Sequence, residues 1–324
     1  MTGRLLVVAA VAAGLTALAV PLCIVLARRT GVMDRPGHLK VHRDPVPYLG
    51  GLAVFAGMVA GAVGHHPVTL VPVAGALALG VLDDRFDLDP RLRLVGQVAV
   101  GAGIAATQPL HLAGWSGALL LVVVTVVLIN GCNLLDGLDL LAAGVGLGLA
   151  VGFAGLDTGT GRYLGASLAG ATVAFLAYNR PPARIYLGDG GSYLLGASAT
   201  VLLAGVWAPG VPTPTGVLAL ALVAVPVAEL ACAVLRRRRQ GRSLLAGDRG
   251  HPYDRLVDRG WPRPAASAVY IGAEGVVAMG VVLLARRHPS MAVAVTADGV
   301  VAVALLAGAY LAGGMGTTGL EPAA

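Results

Sequence analysis

The stretch NGCNLLDGLD, residues 130–139, sets Asn130, Asn133, Asp136 and Asp139 into otherwise apolar sequence. An uncharged run from Leu119 to Ile129 precedes it, and a second, from Leu140 to Leu156, follows. Polar side chains between two such runs mark a connection where two membrane helices surface, because amides and carboxylates are costly inside hydrocarbon. Their three-residue spacing brings all four toward one face wherever the preceding helix extends into the connection. Such a face, placed at a membrane surface, suits a metal, a nucleotide or a phosphate.

Composition agrees with a membrane setting. Apolar residues make up 56% of the chain and charged residues 12%, and mean hydropathy is +0.80. Soluble domains sit near about 45–50% apolar and about 25% charged. The 324 residues therefore read as one integral membrane domain, 1–324, all-α and polytopic, with no room for a soluble domain. A net charge of +6 raises the question of nucleic acid. The basic residues are confined to short connections, however, which points to membrane orientation and to no nucleic-acid partner. Cys23, Cys132 and Cys232 show neither zinc spacing nor a disulfide framework. The run from Leu5 to Leu26 after Arg4 is long enough to span and too long for a signal-peptide core, so it is read as a retained first helix.

Allowing short and tilted spans, eleven segments emerge: 5–26, 49–64, 68–82, 92–107, 117–130, 138–156, 163–178, 192–207, 216–235, 265–284 and 291–311. The count is ten if one of the short segments is re-entrant. The connections after odd-numbered spans, 27–48, 83–91, 131–137, 179–191 and 236–264, with their flanks carry nineteen of the 23 lysines and arginines. Arg4, Arg162, Arg286 and Arg287 lie on the other side. The positive-inside rule then places these five connections in the cytoplasm, the N-terminus outside and the C-terminus cytoplasmic.

Each of the five loops carries candidate chemistry. The first, DRPGHLKVHRDPVPYLGG (34–51), is stiffened by Pro36, Pro45 and Pro47, turns at Gly50-Gly51, and offers Lys40 and His42 to an anion. Fixing topology is the plainer alternative for that loop. The second pairs Asp83 with Asp84. Adjacent carboxylates repel, so they suit either a metal or general-base site or a helix-terminal acidic cluster neutralised by Arg85. The third is the opening stretch; its Asp136-Gly137-Leu138-Asp139 lacks the glutamate of a calcium loop. Gly144, Gly148 and Gly152 beyond it recur every four residues, a helix-packing face and not a dinucleotide fingerprint.

In the fourth loop Gly188, Gly190 and Gly191 let backbone N–H groups approach an anion while Asp189 reaches a cation, as a metal-bridged pyrophosphate requires. In the fifth, four arginines at 236–239 close span nine and mark the interface. His251, between Arg249 and Arg255, is a better catalytic or phosphate-binding candidate than His65 or His66 in an outer loop.

These motifs, in this order, resemble the polyprenyl-phosphate N-acetylhexosamine-1-phosphate transferases along nearly the whole chain. They are Lys40 and His42 through Gly51; Asp83-Asp84; Asn130, Asn133, Asp136 and Asp139; Gly188-Asp189 with Gly191-Ser192; and Asp248-Arg249 with His251. The first loop is closer to the branch that starts teichoic-acid, enterobacterial-antigen or arabinogalactan-linker glycans than to the peptidoglycan branch.

The resemblance implies that the phosphate of undecaprenyl or decaprenyl phosphate attacks the β-phosphorus of a UDP-N-acetylhexosamine, UDP-GlcNAc first, and that UMP leaves. It implies Mg²⁺ or Mn²⁺ on Asp189 with support from Asp84, and Asp83 positioning or deprotonating the lipid phosphate. Asn130, Asn133, Asp136 and Asp139 would hold the nucleotide and diphosphate, and Lys40, His42, Arg249 and His251 the phosphates. It places the enzyme in the plasma (inner) membrane, where a homodimer is compatible with the fold.

Three places in the chain depart from the family's pattern or invite comment. Pro252, Tyr253 and Asp254 follow His251 where histidines are usual, Leu140 stands where glycine is usual, and Glu229 occupies a position commonly held by Asp. Glu229 reads as functional or as the partner of a loop arginine. The alternatives are a phospho-N-acetylmuramoyl-pentapeptide transferase and, in a different class, a transporter with an ion path through Glu229, Glu274 and Asp298.

Overall fold

The computed structural model describes residues 2–35, 45–62, 67–108, 114–156, 161–244, 247 and 249–313. Each of the eleven expected segments is helical. They are α1 (Thr2–Thr30), α2 (Gly50–Ala62), α3 (Leu70–Phe86), α4 (Pro90–Thr107), α5 (Trp115–Leu134), α6 (Leu141–Gly155), α7 (Gly161–Asn179) and α8 (Gly188–Val206). The ninth is split into α9 (Thr213–Leu218) and α10 (Ala224–Arg239) by a 3₁₀ turn, Ala219–Val223. After a short α11 (Pro252–Asp258) come α12 (Arg263–Ala285) and α13 (Met291–Leu311). Among the described residues six helical stretches, including α1, α5, α12 and α13, are long and apolar enough to cross a membrane.

The outer surface explains the setting. Leu18 and Leu22 of α1, Val276 of α12 and Leu311 of α13 are 72%, 71%, 75% and 74% exposed. Large aliphatic side chains turned outward on several helices are stable only against lipid. At the centre, α8 is buried on every face, all but Asp189 and Gly205, with α2, α3 and α5 packed round it. Two glycines permit that approach: a Cβ on Gly51 of α2 would collide with the backbone of Gly191, and one on Gly80 of α3 with the Asp189 carbonyl. The expected glycine face of α6 is also present. Gly144 faces Ile271, Gly148 faces Glu274 and Gly152 lies against Ala278, so α12 packs along it.

Three local features differ from the sequence reading. Met33–Asp34 pairs antiparallel with Val46–Pro47, a two-residue ladder in an otherwise helical chain. The first turn of α8 begins at Gly188, four residues ahead of the expected span, because carboxylates from other elements take up its orphan N–H groups. The third difference is α11, a helix inside the fifth loop. Pro252 stands in its first turn, and Asp254 Oδ2 accepts the His251 N–H at 3.3 Å.

Candidate active site

The site is built on the first turn of α8. Asp84, in the last turn of α3, accepts the Asp189 N–H at 3.0 Å with Oδ1 and the Gly190 N–H at 3.1 Å with Oδ2. Asp136 accepts the N–H of Gly188, which takes φ +73°, a left-handed conformation that glycine adopts without strain. Two carboxylates from different connections thus satisfy three of the four free donors at this helix start. Asp189 projects from the same turn. Its Oδ1 accepts a hydrogen bond of 2.6 Å from Asn133 Nδ2, which also reaches Ser192 Oγ at 3.2 Å, and it shares a side-chain hydrogen bond with Asp83.

So many acids in one place alter one another. Burial pushes the Asp189 carboxyl well above the ordinary range, Asp84 and Asp83 push it further, and the Asn133 bond opposes them. Asp136 is raised in the same way, by burial first and then by Asp189 and Asp84, against the Gly188 N–H. A divalent cation held here would compete with those protons for the carboxylate oxygens. Among the described residues no three His, Cys, Asp or Glu side chains form a ready metal cage. Mg²⁺ needs no such cage: it takes one or two carboxylates and completes its shell with water and substrate phosphate. The donor set therefore fits Mg²⁺ with Asp189 as the principal carboxylate.

Two cavities meet at this cluster. The larger, about 500 Å³, is lined by Asn133, Asp136 and Asp139 from the third connection, Asn179 and Tyr186 from the fourth, and Arg249, His251 and Tyr253 from the fifth. Asp34 and Tyr48 close it from the first connection, hydrogen-bonded to each other. The second, about 310 Å³, lies between α4, α5 and α10. Arg93, Asn130, Tyr193 and Arg237 stand among Leu94, Val126, Val127 and Leu230 in its wall. Asn133 and Leu134 line both cavities.

Asp83 belongs to the second cavity's side. Its Oδ2 accepts the Tyr193 hydroxyl at 2.7 Å and Arg93 at 3.2 Å, and its Oδ1 accepts the Leu88 N–H at 3.0 Å. With three donors engaged, it holds Arg93 and Tyr193 in place. Asn130 parts company with its three companions. Its Nδ2 donates to Gln97 Oε1 at 2.6 Å, turned toward α4 and away from the larger cavity. A helix rotates 100° per residue, so its start at the interior end of the motif faces a different neighbour from the loop that ends it.

The fifth loop also departs from expectation. Arg236 and Arg237 are 1% and 7% exposed; Arg236 packs against Gly250, and Arg237 donates to the Leu244 carbonyl at 2.7 Å. These two organise the loop, while Arg238 and Arg239 stay exposed at the end of α10, where the basic run is expected to mark the interface. Glu229 pairs with His251 Nδ1 at 2.7 Å, and Tyr270 donates to its other oxygen at 3.0 Å. Lys40, His42 and Asp248 lie outside the described residues.

Several lining residues escaped the sequence reading: Asp34, Tyr48, Asn179, Tyr186, Arg93 and Gln97. Asn179 could have been found from its place as the last polar residue of an apolar helix. It accepts the Leu140 N–H at 2.8 Å and donates to the Ile185 carbonyl at 3.0 Å, tying the third loop to the fourth. Leu140 itself adopts φ +70°, the left-handed conformation in which glycine is unstrained.

Over 308 residues the chain is 32% identical to the decaprenyl-phosphate N-acetylglucosaminephosphotransferase of Mycobacterium tuberculosis, covering 79% of this chain and 76% of that one. The chain belongs to the polyprenyl-phosphate N-acetylhexosamine-1-phosphate transferase family. The family model for glycosyl transferase family 4 matches residues 66–206, from α3 to the end of α8, the part of this family member that carries Asp83, Asp84, Asn133, Asp136 and Asp189. A probable undecaprenyl-phosphate N-acetylglucosaminyl 1-phosphate transferase of Bacillus subtilis is 32% identical over 278 residues, 78% of this chain and 77% of its own. The Escherichia coli undecaprenyl-phosphate α-N-acetylglucosaminyl 1-phosphate transferase is 27% identical over 286 residues, 79% of this chain and 77% of its own.

Proposed function

We propose that this chain transfers N-acetylglucosamine 1-phosphate from UDP-GlcNAc to a polyprenyl phosphate at the cytoplasmic face of the cell membrane, through a bundle of eleven spans with the C-terminus inside. The observation that carries the reading is the shared wall of Asn133 and Leu134 between two cavities, one ringed by Asp34, Asp136, Asp139, Arg249 and His251 and the other by Arg93 and Arg237 with Leu94, Val126, Val127 and Leu230, with Asn133 bonded to Asp189. A water-soluble nucleotide sugar fits the first. An isoprenoid chain with an anionic head fits the second, its phosphate near Arg93 and its tail along Leu94, Val127 and Leu230.

In the reaction an oxygen of the lipid phosphate attacks the β-phosphorus of the donor. The Pα–O–Pβ bridge breaks at the β-phosphorus, and its oxygen departs with UMP. Asp83 holds Arg93 by hydrogen bond and ion pair, and so presents a cation to the nucleophile. Asp84 and Asp136 fix the start of α8 and with it the carboxylate of Asp189, and Asn133 orients that carboxylate. Mg²⁺ on Asp189, when bound, screens the diphosphate and stabilises the leaving phosphate. Arg249 and His251 face the donor cavity and suit its phosphates, and Tyr186 offers an aromatic surface there.

The test is the purified protein in nanodiscs with polyprenyl phosphate, Mg²⁺ and a panel of UDP-sugars. UMP release with UDP-GlcNAc is expected. Release with UDP-GalNAc alone would change the sugar, and no release with any UDP-N-acetylhexosamine would overturn the proposal.

A further inference from the structure

His251 is 4% exposed, in the wall of the donor cavity. Its ring lies between two kinds of contact. One face stacks on Tyr253, centroids 5.2 Å apart and planes within 6°, and Tyr253 in turn donates its hydroxyl to the Leu134 carbonyl at 2.8 Å, at the end of α5 beside Asn133. At its edge, Nδ1 meets Glu229 Oε1 at 2.7 Å. Glu229 is 2% exposed and sits on α10, outside the donor cavity. Its Oε2 is taken by Tyr270 of α12. The carboxylate is therefore held by both oxygens, one to each neighbour, in surroundings from which water is largely excluded. A short hydrogen bond there is strong and directional.

We infer that Glu229, anchored by Tyr270, is a positioning residue that acts through His251. With Glu229 ionised, Nδ1 carries the proton of the shared bond, so Nε2 is the ring nitrogen that serves the cavity. The stack on Tyr253 fixes the plane of the ring, and Glu229 fixes its rotation and tautomer. The inference rests on reading the cavity as the donor site, where His251 meets a phosphate.

Glu229→Gln tests it with little change of shape. With the amide oxygen on Tyr270 the N–H₂ faces Nδ1 and moves the proton to Nε2; Glu229→Leu, which leaves Nδ1 no acceptor at all, covers an amide turned the other way round, since the Tyr270 hydroxyl can also accept. Two measurements follow. In protein labelled with ¹⁵N-histidine, the His251 resonances, assigned by their loss in His251→Gln, should switch tautomer in Glu229→Gln. In turnover, Glu229→Gln should lower kcat about 10–100-fold with little change in KM for the lipid, yet less than about twofold when added to His251→Gln.

An unchanged tautomer in both Glu229 variants, wild-type turnover, or the same loss in both backgrounds would overturn the inference. Should Glu229→Gln fail to fold, Tyr270→Phe releases one anchor of Glu229 without altering charge, and a smaller loss confined to the His251-containing background is expected. If the wild type releases no UMP, the proposed reaction falls, and the ¹⁵N spectra still decide the role of Glu229.

Discussion

Asp84 grips Asp189 by its backbone: one carboxylate oxygen accepts the Asp189 N–H at 3.0 Å and the other the Gly190 N–H at 3.1 Å, so that the Asp189 side chain is left to face Asn133 and Asp83. The adjacent acids Asp83 and Asp84 consequently do different work. Asp84 fixes the helix that carries the proposed metal ligand, and Asp83 fixes Arg93. Replacing Asp84 with Asn puts an amide N–H₂ against one of the two backbone donors. Asp84→Asn should cost about 1–3 kcal/mol of stability, seen as a lower melting temperature in nanodiscs, together with weaker stabilisation by Mg²⁺.

Asp189→Asn should behave in the opposite sense toward stability. Removing one charge from a crowded set of carboxylates relieves repulsion while the Asn133 hydrogen bond survives on the amide oxygen. Without metal the variant should melt at or above the wild-type temperature, Mg²⁺ should no longer raise it, and UMP release should fall by about 10³-fold. Retained Mg²⁺ stabilisation would move the metal away from Asp189.

The raised carboxyls dictate the pH dependence. Asp136 and Asp189 both hold protons more tightly folded than unfolded, so their contribution opposes folding increasingly as pH rises from the ordinary carboxylate value, about 4, through the raised ones. Metal-free protein should lose melting temperature as pH rises above about 4, its stability falling by at most about 1.4 kcal/mol per unit of pH for each of these groups. Mg²⁺ competes with protons for these oxygens, so the increment it adds should grow over the same interval. A melting profile that is flat with and without Mg²⁺ would count against the cluster as a cation site.

Gly137 and Tyr253 are matched in size. A Cβ on Gly137 would run into the Tyr253 hydroxyl and ring edge, so Gly137→Ala should cost about 1–3 kcal/mol by overpacking and weaken donor binding. Tyr253→Phe removes the hydroxyl and its bond to Leu134, costing about 1 kcal/mol alone. Combined, the two changes should be less harmful than their sum, which calorimetric binding of UDP-GlcNAc to the four variants would show.

The second cavity is tested by filling it. Leu230→Trp places a bulky ring where the lipid tail is expected. KM for polyprenyl phosphate should rise about tenfold, equal to about 1.4 kcal/mol, while UDP-GlcNAc affinity stays unchanged. Loss of nucleotide binding in this variant would contradict the division of labour between the cavities.

Much was legible without coordinates because the two governing signals are local. Hydropathy pointed to eleven segments that are all helical, six helical stretches among the described residues being long and apolar enough to cross a membrane, while α11 inside the fifth loop escaped it. Polar interruptions located the loops, and loop charge grouped them. By contrast, the directions in which polar side chains point are set by partners distant in sequence. Asn130 turns to Gln97 and leaves the NGCNLLDGLD group. Arg236 and Arg237 are buried where a basic run suggested an exposed surface. Asp34 and Tyr48 join the site through contacts that no spacing rule predicts.

The sequence alone determined that this is a helical membrane protein whose polar residues gather mostly between its apolar runs, because burial in lipid selects residues one at a time. Only the tertiary structure decided which carboxylate does what. Asp84, Asp83, Asp136 and Asp189 are the same acid in the same kind of loop, and they are told apart by which N–H, amide or guanidinium the packing of α3, α4, α5 and α8 delivers to each oxygen.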